Sequence, residues 1–283
     1  LLAPAGTLGP VKIDANENPY GPAEKAIQAI QRSFGQSGRY ANNTPELEQA
    51  LCSHHQVDSG MLEVGYGSSE LLKMAAEAFL SPGKNLVTAQ PTYEAPSRYG
   101  AVYDATTIRV PLDSQYRHDL RQMRAAVNNK TGMVYICNPN NPTATVVSAE
   151  ATRAFVDSMP PDIPVVIDEA YHHYVDDPSY ASAIPLAQQG KAVVVMRTFS
   201  KIYGMAGLRM GYAVGRGDLI SRMSAYKIWL NTNTLTVAAA LASLADKEFV
   251  ERNRKLNASA RQFVEQQVIQ MGLGYIPSQA NFL

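Results

Sequence analysis

The chain has 283 residues, is 46% hydrophobic and carries 25 Lys+Arg against 25 Asp+Glu, a formal net charge of +0. That length and apolar content suit one large core with a smaller attached domain and exclude a disordered chain. Balanced charge provides no field to attract nucleic acid or an anionic membrane, and no apolar run approaches the ~20 residues of a spanning helix, so the expected partner is a small molecule.

A soluble, cytoplasmic protein is expected, with export as the alternative because Ala3-Pro4-Ala5 has the small-x-small form of a signal-peptidase site. Cys52 and Cys137 are too few and too far apart for a disulfide framework or a structural zinc site, and both are read as reduced and structural. His54-His55 and His172-His173 are adjacent pairs whose side chains diverge, without a carboxylate at ligand spacing. No metal is expected.

Residues 11–22, VKIDANENPYGP, cluster Asn, Pro and Gly and predict an irregular segment before a helix over 23–34. Thr44-Pro45-Glu46 reads as an N-cap hydroxyl, a proline at the first helical position and an acidic first turn, opening a helix to about residue 54. Gly65, Gly67, Ser68 and Ser69 precede ELLKMAAEAFL, whose apolar residues recur at helical spacing. This start is either an ordinary serine-capped helix or a set of unpaired amides suited to a phosphate.

From 85 to 209 strand and helix patterns alternate. Strands are predicted at 85–89, 106–110, 133–137, 165–168 and 192–196, and helices near 95–101, 117–127, 148–158 and 180–189. Such alternation implies an α/β fold with a mostly parallel sheet covered by helices on both faces. Tyr93, Asn138, Asn141, Asp168 and Lys201 follow or end successive strands, so they gather at the edge where open sheets bind ligands. After Tyr212 the pattern turns helical, with helices over 235–246 and 248–271 leading towards a second domain. Residues 280–283 read as the beginning of a strand.

Lys201 is the candidate nucleophile. It lies just past a valine-rich strand, with Thr198 and Ser200 before it and Arg209 after it, so hydroxyl donors and a permanent cation flank one amine. That company suits a phosphate beside a reactive lysine. Asp168, in PVVIDEAYHHY, brings a carboxylate to the same edge with Tyr171 nearby, and Pro139 and Pro142 restrict the turn that carries Asn141.

YGSSELL, PTYEAP, CNPNNPTATV, VVIDEAY and RTFSKIYGMAGLRMG, in that order, resemble the fold-type-I pyridoxal-phosphate aminotransferases of class I/II. ANENPYGP and RYANNTPELEQAL bring the resemblance closest to the histidinol-phosphate aminotransferase branch, and it covers nearly the whole chain. It implies pyridoxal 5'-phosphate as cofactor, a small-molecule amino donor, a 2-oxo acid acceptor and ping-pong transamination. A lyase, decarboxylase or amino-acid oxidase on the same scaffold, or a non-catalytic sensor of the cofactor, is the alternative.

Residue by residue, the resemblance makes Lys201 the lysine that forms a Schiff base with the cofactor aldehyde and Asp168 the partner of the pyridine nitrogen. Asn141 and Tyr171 match groups that bond the 3-oxygen, and Tyr93 matches the aromatic that stacks on the ring. Ser68, Ser69, Thr198, Ser200 and Arg209 match the phosphate site, and Tyr40 a tyrosine that reaches the phosphate of the neighbouring subunit in a homodimer. Asn18 and Tyr20 are carried over to the substrate entrance. Ala144 stands where the family has glycine. The arginine that binds the substrate carboxylate in relatives lies beyond ANFL, so no residue of this chain takes that role. The implied division is an N-terminal segment and cover over 1–34, a cofactor-binding domain over 35–240, and the start of a small α/β domain, incomplete at its C-terminus, over 241–283.

Overall fold

A computed structural model describes residues 12–283, and Ala3-Pro4-Ala5 lies outside the described residues. Seven strands form one sheet: β1 (Leu62–Gly65), β2 (Asn85–Gln90), β3 (Thr106–Pro111), β4 (Thr131–Cys137), β5 (Val165–Asp168), β6 (Val193–Thr198) and β7 (Gly211–Gly215). Their order across the sheet is β1-β7-β6-β5-β4-β2-β3. All neighbours among β2 to β6 are parallel, as the alternation predicts, whereas β7 runs antiparallel to both β1 and β6.

The helices are α1 (Glu24–Ser33), α2 (Thr44–His55), α3 (Ser68–Phe79), α4 (Ala95–Val102) and α5 (Leu120–Ala126). They continue with α6 (Ala149–Ser158), α7 (Ile184–Gln188), α8 (Gly217–Ser224), α9 (Thr234–Ala245) and α10 (Lys247–Gln270). Successive strand residues point to opposite faces, so each central strand feeds two cores. Met133, Tyr135, Val194 and Met196 pack with Leu72, Met74 and Phe79 of α3 and Met223 of α8. Val134, Ile136, Val193 and Val195 face the other way, onto Leu47 and Leu51 of α2, Phe155 of α6, Leu186 of α7 and Val237 of α9.

The sequence pattern missed β1 and β7. Each is short; β7 begins and ends with glycine, and β1 contains Glu63, which is buried and answered by Lys227 Nζ at 2.5 Å. Glycine and a carboxylate both argue against a strand until tertiary pairing supplies the compensation. Three expectations are corrected. Asn43, not Thr44, is the N-cap of α2, and the Thr44 hydroxyl meets Thr232 Oγ1 instead. α7 starts only at Ile184 because Asp177 and Ser179 are engaged in a preceding turn. Residues 280–283 form no strand: Ser278 Oγ donates to Phe282 O at 2.6 Å and folds the segment back on itself.

The two histidine pairs meet across the fold, in a cleft of about 620 Å³ that also holds Arg197 and Tyr203. His55 Nε2 pairs with the Tyr212 hydroxyl at 2.9 Å and His172 Nδ1 with that of Tyr180 at 3.0 Å. Among the described residues no group of three or more His, Cys, Asp or Glu side chains is placed to hold a metal ion. Burial, reinforced by the Arg197 guanidinium, pushes His173 down to about 3, and burial alone pushes His118 down to about 4.

Both groups therefore stay neutral in the folded chain while the unfolded chain protonates below about pH 6.5. Their contribution to stability is present above that pH and is lost as pH falls towards the folded values. Each adds one proton to the slope, ~1.4 kcal/mol per pH unit. Urea unfolding as a function of pH is expected to show stability dropping below pH 6.5, and His173→Phe to reduce the slope by about one proton. An unchanged slope in that variant contradicts the assignment.

Candidate active site

Parallel register brings the site together. Cys137 of β4 pairs with Asp168 of β5, which pairs with Met196 of β6, so β4 and β5 end level, β6 runs on to Thr198, and their following loops share one edge. A cavity of about 350 Å³ opens there, walled by Ser68, Ser69, Tyr93, Asn141, Asp168, Tyr171, Thr198, Ser200, Lys201 and Arg209. These are the residues that the sequence singled out for the cofactor, with Tyr40 excepted.

Asp168 forms one end. Its carboxylate is buried, accepting from the Tyr135 hydroxyl at 3.0 Å and from Ala170 N at 3.1 Å. Burial pushes its pKa up to about 6, against the pull of those two donors and of Lys201. The next residue, Glu169, turns into the opposite core and pairs with buried Arg197 at 2.6 Å, its other oxygen accepting from Ala183 N. That pair ties the end of β5 to the end of β6. Tyr135 was not singled out from the sequence, although a tyrosine inside an otherwise apolar buried strand needs a partner for its hydroxyl and so gives a signal.

At the other end, α3 begins without a side-chain cap. Gly67, at φ +77°, is the N-cap, so Ser68 and Ser69 are the first helical residues and their amides have no partner from a capping side chain. The serine-capped alternative is not what forms. Arg209 lies across this end; its Nη1 donates to Ala206 O at 2.9 Å and Ser200 Oγ at 3.3 Å, and Thr198 Oγ1 donates to Ser200 Oγ at 2.9 Å. A Cβ on Gly67 would sit 2.3 Å from Arg209 Nη2, and one on Gly211 would sit 2.5 Å from Ser68 N. The glycines are what let the guanidinium and the helix start approach one another. Arg209 itself holds φ +61°, a left-handed conformation uncommon for its type.

Lys201 stands between the two ends, its Nζ donating to Ala15 O at 3.0 Å and Asn16 O at 3.1 Å. Burial lowers its pKa, with Arg209 adding to the fall and Glu17 and Asp168 opposing it. The Tyr171 hydroxyl accepts from Asn16 Nδ2 at 3.3 Å and from Asn141 Nδ2 at 3.4 Å, which leaves its proton free for an acceptor in the cavity. Phe282 stacks edge-on against Tyr171 with ring centroids 5.0 Å apart. Ala144, in the turn after Asn141, has φ +55°, a left-handed conformation that costs alanine about 1 kcal/mol.

Two candidate substrate residues fall elsewhere. Asn18 is buried outside the cavity, its amide donating to Ile202 O at 2.9 Å and Asn253 Oδ1 at 3.2 Å, so it pins the N-terminal segment. Tyr20 is exposed and does not line the cavity; the segment reaches it through 14–17 instead. Tyr40 is also exposed. A larger groove of about 710 Å³ beside Tyr116, His118 and Tyr275 holds no lysine, and its carboxylates are committed locally, Asp113 to Arg117, Asp119 to the α5 N-terminus and Asp177 to Ser179 N.

The model of aminotransferases of class I and II matches residues 9–283. The chain belongs to the aminotransferase class I and II family. It is 38% identical over 280 residues to the histidinol-phosphate aminotransferase of Moorella thermoacetica, covering 98% of this chain and 72% of that one. A candidate histidinol-phosphate aminotransferase from Erwinia carotovora atroseptica SCRI1043 superposes with a TM-score of 0.93 at 34% identity, over 96% of this chain and 80% of that one. The Sinorhizobium meliloti histidinol-phosphate aminotransferase, solved with pyridoxal-5'-phosphate, gives 0.89 at 29% identity, over 94% and 72%.

The chain is accordingly a transaminase of fold type I with pyridoxal phosphate as its cofactor. The donor set fits that molecule: uncapped amides and Arg209 suit a phosphate, and a buried carboxylate at the other end suits a protonated ring nitrogen. Gly67→Ala, which drives a methyl into Arg209, is expected to weaken cofactor binding at least tenfold, roughly the loss of one charge-assisted contact. Titration of the cofactor-free protein followed by absorbance checks this, and unchanged affinity contradicts it.

Proposed function

We propose that the protein moves an amino group from a histidinol-phosphate-like amine phosphate, or an amino acid, to a 2-oxo acid, with Lys201 as the catalytic base and the lysine that carries the cofactor. The observation that supports this most is the position of Lys201, between the buried Asp168 carboxylate and the Arg209 end of α3. Pyridoxal phosphate, when bound, supplies an aldehyde that exchanges amino groups and a protonated ring that accepts the electron pair released at the donor carbon.

The chain's own groups do the rest. The amides of Ser68 and Ser69, the hydroxyls of Thr198 and Ser200, and Arg209 hold the phosphate, whose double charge suits a helix N-terminus and a guanidinium fork. Asp168 stays ionised against that ring nitrogen and keeps its proton in place. Tyr171, oriented by Asn141, would offer its free proton to the cofactor's 3-oxygen, and Tyr93, which lines the same cavity, would pack against the ring. Lys201, when its amine is free, would act as the base that takes a proton from the donor carbon and gives it back. Burial helps here by favouring the neutral amine. A 2-oxo acid then runs these steps in reverse.

The active unit in this reading is a two-fold homodimer in which Tyr40 reaches the phosphate end of the partner's site. Tyr40, Trp229 and Ile228 are large apolar side chains left 77%, 86% and 62% exposed, which favours a covered surface.

A donor panel tests the reading. Mixing the holoenzyme with histidinol phosphate, histidine and aromatic amino acids is expected to convert the cofactor to its amine form fastest with histidinol phosphate, and a 2-oxo acid to restore it. Conversion by none of them, or loss of carbon dioxide in place of amino transfer, contradicts the proposal.

Asp168→Asn separates stability from chemistry. Because burial raises the folded pKa of this carboxyl from 3.8 to about 6, ionisation disfavours the folded cofactor-free chain as pH rises through that interval. The variant is expected to stabilise the cofactor-free protein at pH 7.5 by up to about 3 kcal/mol while turnover falls at least ~10³-fold. Thermal denaturation and steady-state rates check both arms, and normal turnover contradicts the role of the carboxylate.

A further inference from the structure

Asn16 stands apart from every residue that the sequence singled out. It lies in the segment over 14–17 that crosses the mouth of the cavity, and it holds φ +51°. Asparagine is among the few non-glycine residues that adopt this left-handed conformation readily, and a β-branched residue there is a genuine outlier. The turn points two successive carbonyls at the same place: Lys201 Nζ donates to Ala15 O at 3.0 Å and to Asn16 O at 3.1 Å. The Asn16 side chain meanwhile donates to the Tyr171 hydroxyl at 3.3 Å, and its carbonyl also accepts from Asn281 Nδ2 at 3.0 Å.

We infer that Asn16 is a positioning residue, which builds a dock of two carbonyls for the Lys201 amine whenever that amine is not covalently engaged. The inference rests on the reading of Lys201 as the lysine that carries the cofactor. An amine displaced by a donor has four flexible carbons beneath it and would otherwise sample many rotamers. The dock gives it one position, 5.4 Å from the centroid of the Tyr171 ring and inside the cavity. Being acceptors only, the carbonyls favour the ammonium over the neutral amine, so they hold the protonated form that exists between removal and delivery of the proton.

The other charged groups around the amine are Glu17 on the same segment, Asp168 at the end of β5 and Arg209 beyond the Lys201 loop. Asp14 also lines the cavity. Asp168 and Arg209 stand on other elements, whereas Glu17 directly follows Asn16 and moves with its backbone, so each Asn16 variant is also titrated on a Glu17→Gln background. Two substitutions therefore separate the carbonyl dock from the side chain. Asn16→Gly keeps the left-handed backbone and both carbonyls but removes the bond to Tyr171. Asn16→Val disfavours that backbone and turns the carbonyls away.

The experiment is acylation of Lys201 in the cofactor-free protein over a range of pH, read by peptide mass analysis. Asn16→Val is expected to lower the apparent pKa of the Lys201 amine by about one pH unit, because two acceptors that favour the charged form are lost, and Asn16→Gly to leave it unchanged. Should Asn16→Val fail to fold, Asn16→Ala takes its place, with a smaller shift in the same direction. Equal values in all variants, or a shift as large in Asn16→Gly, overturns the inference. A wild-type protein whose Lys201 never captures pyridoxal phosphate would instead overturn the reading beneath it and leave this titration intact.

Discussion

A carboxylate buried at the end of a parallel strand is the constraint that the remaining structure accommodates. Asp168 is buried at the end of a strand of valine and isoleucine, and a buried carboxylate resists ionisation. The Tyr135 hydroxyl and the Ala170 amide favour its charged form, but they leave the pKa near 6. A cationic ring nitrogen is the natural complement to this imbalance. On the proposed reading, pyridoxal phosphate would relieve that imbalance, and a stable fold and a reactive site would then coexist on the same strand.

Holding that carboxylate in register requires rigid strands behind it. The Glu169–Arg197 pair, buried on both sides, locks the ends of β5 and β6 on the face away from the cavity. Alternation along the strand makes this arrangement available, because consecutive residues of the Asp168-Glu169 sequence point into opposite layers. One carboxylate serves the site and its neighbour serves the scaffold. At the phosphate end the same economy applies to glycine, since Gly67 and Gly211 let the start of α3, β7 and Arg209 approach more closely than any side chain would allow.

Most of the parallel sheet was legible because buried strands of Val, Ile and Met stand out between helical patterns. The edge of the cavity was legible for a related reason: polar residues that follow such strands have few places to go. β1 and β7 were not, because Glu63 and the flanking glycines of β7 depend on partners distant in sequence. The cover over Lys201 takes its inner residues from a stretch that the sequence did not single out. Asn18 and Tyr20 carry the resemblance, yet the hydrogen bonds of Asn18 to Ile202 and Asn253 turn it away, and Asn16 and its neighbours take the inner position. The segment 280–283 is apolar enough to read as a strand, and it packs instead as a wall beside Tyr171. The meeting of the two histidine pairs was also invisible, as the pairs lie far apart in the chain and come together only in the folded structure.

The central claim is that Lys201, among all the lysines, carries the cofactor. Reduction of the pyridoxal-phosphate-loaded protein with borohydride fixes the cofactor to the lysine that holds it, and peptide mapping then identifies that lysine. A single adduct is expected, on the peptide containing Thr198, Ser200 and Lys201. An adduct on another lysine, or none at Lys201 under saturating cofactor, would contradict it.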